Sequence, residues 1–363
     1  MPNGPTHFSK FLYHLLILYF LFFAIIPKYS HFVAILIAVV WILDSMSRRS
    51  YNFIKLPLFT EILLFSGIGI ISYLVDVINH YPDGFPCFVL FPMAYIILAT
   101  SVLSDEKRLK IIWSLIYGIA IASLLNILAH LQIGYDSFSN LLILDNYLLS
   151  SIYAVILLMT SLSVFSVNFS KKLFLMVLAI PMIFLLLYSK NHLAFIILLL
   201  LILICAVLKD RYLLGAIILS TAAIILFNPD AGDKFISQLS TQLNSTIAFY
   251  SKLHITLNDL TFFGSEIIGI SNKLFAIESA PSIIRFIIIQ GLLFTLIIIY
   301  IFYVQVIRYI VKLRMAPSEL NIPIQFAGFL TTIYLILMCF VWNSLDMNSL
   351  GILIWSVWGL TET

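Results

Sequence analysis

Residues 228–281 read NPDAGDKFISQLSTQLNSTIAFYSKLHITLNDLTFFGSEIIGISNKLFAIESAP, the one long run in a 363-residue chain too polar to sit in hydrocarbon. The run carries eight of the 37 Asp, Glu, Lys and Arg residues and one of the seven histidines, between two strongly apolar segments. Its polarity decides the fold by contrast. Across the whole chain 62% of residues are hydrophobic, 10% are charged and the mean hydropathy is +1.09. Soluble domains sit near roughly 45–50% apolar and about 25% charged. Apolar runs of about 20 residues recur here, the length an α-helix needs to cross a bilayer core with its backbone bonded internally. The expected fold is an all-α, polytopic membrane bundle with one large extracytoplasmic loop. No segment outside the membrane is long enough to build a core of its own.

Working outward from the loop, twelve spans are expected, at roughly 9–27, 32–46, 56–77, 85–104, 109–133, 142–166, 172–189, 193–208, 212–227, 282–304, 323–342 and 348–360. Residues 1–227 thus hold helices one to nine, 228–281 the loop, and 282–363 helices ten to twelve. The second and last spans are short, and tilted, partly buried or re-entrant forms stay open for them. No small-residue cleavage pattern follows the run at 12–26, which reads as a retained first helix.

Basic residues orient the bundle. With the N-terminus inside, Lys10, Arg48, Arg49, Lys55, Lys107, Arg108, Lys110, Lys171, Lys172, Lys209, Arg211, Arg308, Lys312 and Arg314 are cytoplasmic, 14 of the 20. The outer side keeps Lys28, Lys190, Lys234, Lys252 and Lys273, and Arg285 lies within the tenth span. Such alternation follows the positive-inside rule and places both termini in the cytoplasm and residues 228–281 outside. The net charge of +3 is small and distributed as topology, which argues against a nucleic-acid partner. Cys87, Cys205 and Cys339 read as unpaired packing residues.

Within the loop, Phe235, Ile236, Leu239, Leu243, Ile247, Tyr250 and Leu253 recur at three- and four-residue spacing, opposite Gln238, Ser240, Asn244 and Ser251. That pattern is an amphipathic helix suited to the bilayer surface or to capping the bundle. Asn258, Asp259 and Gly264 break it, and Ser279, Ala280 and Pro281 lead into the tenth span.

Ionisable groups in or beside spans are costly and usually have a partner or a task. Arg285 reads either as a snorkelling or ion-paired residue, or as a cation facing an anionic lipid-linked substrate. Glu278 falls seven residues earlier, on the same face if the helix extends so far. Glu61, one turn into the third span, reads as structural. Lys190, Asn191 and His192 form the outer turn between spans seven and eight. A hairpin needs polar residues there in any case, yet Lys and His together also suit a phosphate. Lys252 and His254 add a cation and a proton carrier. His80, Asp83, Asp145, Asn343, Asp346 and Asn348 read as solvated helix ends. The inner side shows no Gly-rich phosphate loop, no zinc-spaced Cys/His set and no paired carboxylates. Its loops are too short for a nucleotide-binding domain, so any substrate must arrive already activated.

Several strings resemble the Wzy-type polysaccharide polymerase and O-antigen ligase superfamily, whose members have about a dozen spans and one large late outer loop. Tyr188, Ser189 and Lys190 before an apolar helix are similar to its Ser-Arg turn. Asn244 and Ser245, leading to Tyr250, Ser251, Lys252 and Leu253, resemble its Ser-Gly-Arg-Leu loop segment. Thr261, Phe262, Phe263 and Gly264 resemble its Phe-Gly element. Ser282 to Arg285 with Gly291, Leu292 and Leu293 are similar to the helix that re-enters the membrane, and Asn348 matches a recurring polar position. Three departures stand: both motif arginines are lysines here (Lys190, Lys252), and Ala280 with Pro281 replaces the family's Asp or His followed by Asn.

The resemblance implies a metal-independent glycosyltransferase of the bacterial cytoplasmic membrane, needing no cofactor. It would polymerise undecaprenyl-pyrophosphate-linked oligosaccharide repeats into O-antigen, capsule or exopolysaccharide. Lys190, His192, Lys252 and Arg285 would bind the substrate, while Glu278 or His254 would serve as base. The lipid bilayer, a chain-length regulator and a flippase of the same pathway are the implied partners. Ligation of polymer to lipid A-core, transport of lipid-linked sugars and a non-catalytic scaffold remain the alternatives at this point.

Overall fold

One run that hydropathy reads as a full span folds as a short helix instead, and it packs against the short last helix. In a computed structural model, which describes residues 6–48, 52–78, 90–130, 146–188, 192–209, 291–315, 321–340 and 348–362 with scattered positions between 236 and 287, every regular element is helical. The α-helices are α1 (His7–Phe22), α2 (Pro27–Arg48), α3 (Phe59–Ile78), α4 (Pro92–Thr100), α5 (Asp105–His130) and α6 (Asn146–Val164). They continue as α7 (Phe169–Tyr188), α8 (His192–Lys209), α9 (Leu292–Met315), α10 (Asn321–Cys339) and α11 (Asn348–Leu360), and a short 3-10 turn covers Asn52–Lys55.

By length and composition, four of these are able to cross a membrane, in α5, α7, α9 and α10. The expected fourth span, 85–104, is corrected. Its helix α4 has 9 residues, roughly 14 Å of rise against a hydrocarbon core of about 30 Å. Pro92 begins it, where a missing N–H costs nothing, and Ser101 ends it in an extended conformation. The last helix, α11, matches its expected bounds with 13 residues, roughly 20 Å. From Leu353 to Leu360 it is buried throughout, and the side of Gly359 is occupied by α4. A Cβ on Gly359 would stand 2.8 Å from the Tyr95 carbonyl, so the two short helices touch backbone to backbone. Around them Phe65, Phe294, Tyr95, Trp355, Trp358 and Phe302 form a chain of ring contacts with centroids 4.8–6.3 Å apart.

α6 is the other interior helix, with Ile152 through Ser163 buried on all sides. Hydrophobic all round and surrounded by α5, α7, α8, α10 and α11, it is a core helix. α7 shows the opposite character: only 22% of its apolar window is buried, and Phe174, Val177, Ile180 and Phe184 face outward. In α10 the buried share is 61%.

Most of the expected tenth span before Gly291 lies outside the described residues. α9 starts at Leu292, behind Gly291 at φ 89°, a left-handed conformation that only glycine adopts freely, and it runs on to Met315. Between residues 236 and 247 the described positions of the expected amphipathic helix are helical. Of its apolar positions, Ile236, Leu243 and Ile247 are exposed and Leu239 is half-buried. Cys205 and Cys339 are buried packing residues, while Cys87 and the expected ninth span, 212–227, lie outside the described residues.

Candidate functional site

The contacts between helix ends show which termini share one end of the bundle. Lys107 at the start of α5 stacks over the Tyr13 ring near the start of α1, 5.3 Å from its centroid. Asp44 near the end of α2 accepts from Ser9 Oγ of α1 at 2.7 Å. Trp41 Nε1 donates to Thr100 Oγ1 at the end of α4, 2.8 Å away. Lys171 at the start of α7 lies 5.7 Å over Trp113 of α5. Ser161, near the end of α6, donates to the Pro323 carbonyl at the start of α10. The ends of α9 and α11 join them through the cluster described below. Lys10, Arg48, Lys107, Arg108, Lys110, Lys171, Lys172, Arg308, Lys312 and Arg314 therefore gather at a single basic end.

Direction follows for the remaining helices. α7 leaves the basic end, and α8 begins four residues after α7 stops and packs beside it. The Tyr334 hydroxyl, deep along α10, donates to the Ala194 carbonyl near the start of α8 at 3.5 Å. α8 thus descends to finish with Lys209 at the basic end. α9 starts at the opposite end and descends to Arg308, Lys312 and Arg314. The chain between Lys209 and Leu292 therefore crosses from one end to the other.

Of the residues singled out from sequence for binding and catalysis, Lys190, Lys252, His254, Glu278 and Arg285 lie outside the described residues. His192 opens α8, at the end opposite the basic cluster, and its side chain is not described.

The described residues instead hold a buried polar cluster that sequence reasoning did not assemble. At its centre is Glu362, 9% exposed, two residues beyond α11. Its Oε2 accepts from Arg308 Nη2 at 2.5 Å and from Lys312 Nζ at 3.2 Å, both from the last turns of α9. Lys312 also donates to the Thr361 carbonyl at 2.8 Å, which Gln325 Nε2 of α10 reaches at 2.7 Å. The Tyr309 and Thr361 hydroxyls pair at 2.7 Å. Gly328 of α10 leaves the room for that tyrosine, since a Cβ there would meet its ring at 2.5 Å. Arg108 of α5, 4% exposed, donates through Nη1 to the Leu360 carbonyl at 2.6 Å and through Nε to the Leu103 carbonyl at 3.3 Å. Tyr95 of α4 stands beside both Arg308 and Glu362 close enough to interact with their charges. Its hydroxyl lies within reach of both without a well-aligned hydrogen bond to either, and Arg308 Nη1 and Gln325 Oε1 complete none among the described residues.

Four helices thus converge on the end of α11 and the residues that follow it. The carbonyls left open at its C-terminal end take cations, as the helix dipole favours. Here Arg308 and Lys312 have a structural task beyond orientation. The signal was present as a single carboxylate following an apolar helix, and as Tyr309, Gln325 and Arg308 set in otherwise apolar runs.

No family model, curated protein or solved structure matches this chain.

Proposed function

We propose that the chain is a polymerase of the bacterial cytoplasmic membrane that joins undecaprenyl-pyrophosphate-linked oligosaccharide repeats at the outer face. One observation carries this reading: α8 finishes at the basic end while α9 starts at the other. Under the positive-inside rule the basic end is cytoplasmic. The apolar run 212–227 is the segment suited to make the single crossing, which leaves 228–281 outside as a ninth-to-tenth-span loop. With Thr6 and Glu362 both at the basic end, this reading keeps both ends of the bundle inside. The turn before His192 lies at that same outer end, so Lys190, His192, Lys252, His254, Glu278 and Arg285 share a compartment.

In this reading the acceptor sugar's hydroxyl oxygen attacks the anomeric carbon of the donor chain, and the bond from that carbon to the pyrophosphate breaks. The hydroxyl proton passes to Glu278 or His254, and the departing lipid pyrophosphate carries the displaced electron pair. Lys190, Lys252 and Arg285 neutralise its charge, which is the largest stabilisation such a transition state needs. The scheme uses no metal.

A specific observation favours a second reading, transport of lipid-linked sugars. α4 is too short to cross the hydrocarbon core and Gly291 breaks the chain before α9, and short or interrupted helices of this kind frame transporter sites. Deleting the gene and resolving surface glycan on a gel separates the two. Single repeat units in place of long polymer support the polymerase. Unflipped units on the cytoplasmic side support transport, and finished polymer held on its lipid carrier supports ligation.

A further inference from the structure

The geometry points to an oxyanion site at the basic end, formed by Arg308 and Lys312 of α9 with Tyr95 of α4, that takes a phosphate group. Charge is the first reason. Arg108, Arg308 and Lys312 converge there, yet Glu362 is the one carboxylate that any of them bonds among the described residues. Arg108 spends its hydrogen bonds on carbonyls, and Asp105 and Glu362 offset its charge without bonding it. Buried cations in excess are expensive unless an anion joins them. Unused donors are the second reason. Arg308 Nη1 and the Tyr95 hydroxyl are buried and stand beside each other and Glu362 without well-aligned hydrogen bonds, and both can donate to an anionic oxygen. Access is the third, because Arg308 and Lys312 keep 18% and 23% of their side chains exposed. The cluster thus opens outward at the level where the helices end.

A phosphodiester headgroup of an anionic lipid and free inorganic phosphate offer the same chemistry, and both fit a basic pocket between helices. The site is independent of the glycan reading, since it shares no residue with the set that reading invokes.

The test uses the full chain in detergent, with thermal unfolding and native mass spectrometry. Three additions are compared: phosphatidylglycerol, phosphatidylcholine and inorganic phosphate. The site predicts retention of phosphatidylglycerol, and a higher unfolding temperature with it than with phosphatidylcholine. Lys312→Gln should weaken that retention about tenfold, as loss of a charged hydrogen bond does, and Tyr95→Phe by about threefold. Tyr95→Phe keeps the ring and removes only the hydroxyl, so it reads the site even where Lys312→Gln fails to fold. Stabilisation by inorganic phosphate as well marks a site open to free oxyanions; stabilisation by the lipid alone assigns a headgroup. No difference between the two lipids together with no response to phosphate overturns the site. So does equal loss of retention in Lys110→Gln, whose exposed lysine pairs with Glu106 at 2.8 Å outside the cluster.

Discussion

Two buried carboxylates at the same end of the bundle are treated very differently. Asp44, 0% exposed, accepts from Thr6 Oγ1 at 2.5 Å, from Ser9 Oγ at 2.7 Å and from Arg48 one turn along its own helix. One anion meets one cation, and two hydroxyls complete its shell. Glu362 draws its cations from α9, about fifty positions back along the chain, and sits among more positive charge than it can balance. Asp44 closes a hairpin between α1 and α2, whereas Glu362 ties together helices that meet only in the folded bundle. A satisfied acid is a joint. An acid outnumbered by its cations is a joint with binding capacity left over.

The largest effect should come from stripping the satisfied acid. Asp44→Ala removes three hydrogen bonds and strands Arg48, which should cost about 4 kcal/mol in an SDS unfolding titration. Adding Arg48→Ala removes the stranded cation and should recover a good part of that loss. Glu362→Gln should cost about 2–3 kcal/mol, because three cations then face one another without their shared anion. There the parallel second change, Arg308→Gln, should recover little, since Arg108 and Lys312 remain. Equal recovery in the two double variants would show that Glu362 is as balanced as Asp44.

Gly359→Ala tests the seat of the short helices. Its Cβ would press on the Tyr95 carbonyl and the Leu98 side chain at 2.8 and 2.9 Å. Separating α11 from α4 should cost about 1–3 kcal/mol. Smallest of all, Lys110→Gln breaks an exposed pair and should leave unfolding unchanged in low and high salt.

Much of the layout was legible in the sequence because one property, charge alternation, is read by the membrane over the whole chain. The groups placed together from Lys10, Arg48, Lys107, Arg108, Lys171, Arg308 and Lys312 are those the structure brings to one end. Apolarity says less about what an apolar helix faces. Trp355 and Trp358 of α11 and Phe174 and Phe184 of α7 look alike in composition, yet the first pair is buried and the second faces outward. Helix α4 hid for a related reason: residues 85–104 form one apolar run, and only Pro92 and Ser101 mark where the hydrogen-bonded segment stops. Glu362 was missed because its partners are distant in sequence, so no local spacing announces them. The residues proposed for chemistry, Lys190, His192, Lys252, His254, Glu278 and Arg285, were chosen from residue type and resemblance, and their test is functional. Lys190→Ala and Lys252→Ala should each cut polymer yield about tenfold or more at normal expression, through loss of a charged contact to pyrophosphate.

The most direct test of the whole account is topological, because the glycan reading needs residues 228–281 and the basic cluster on opposite sides of the membrane. Alkaline phosphatase fused after Ser251 should be active and after Arg314 silent, with fluorescent-protein fusions giving the reverse pattern. Phosphatase activity at both positions, or at neither, would contradict it.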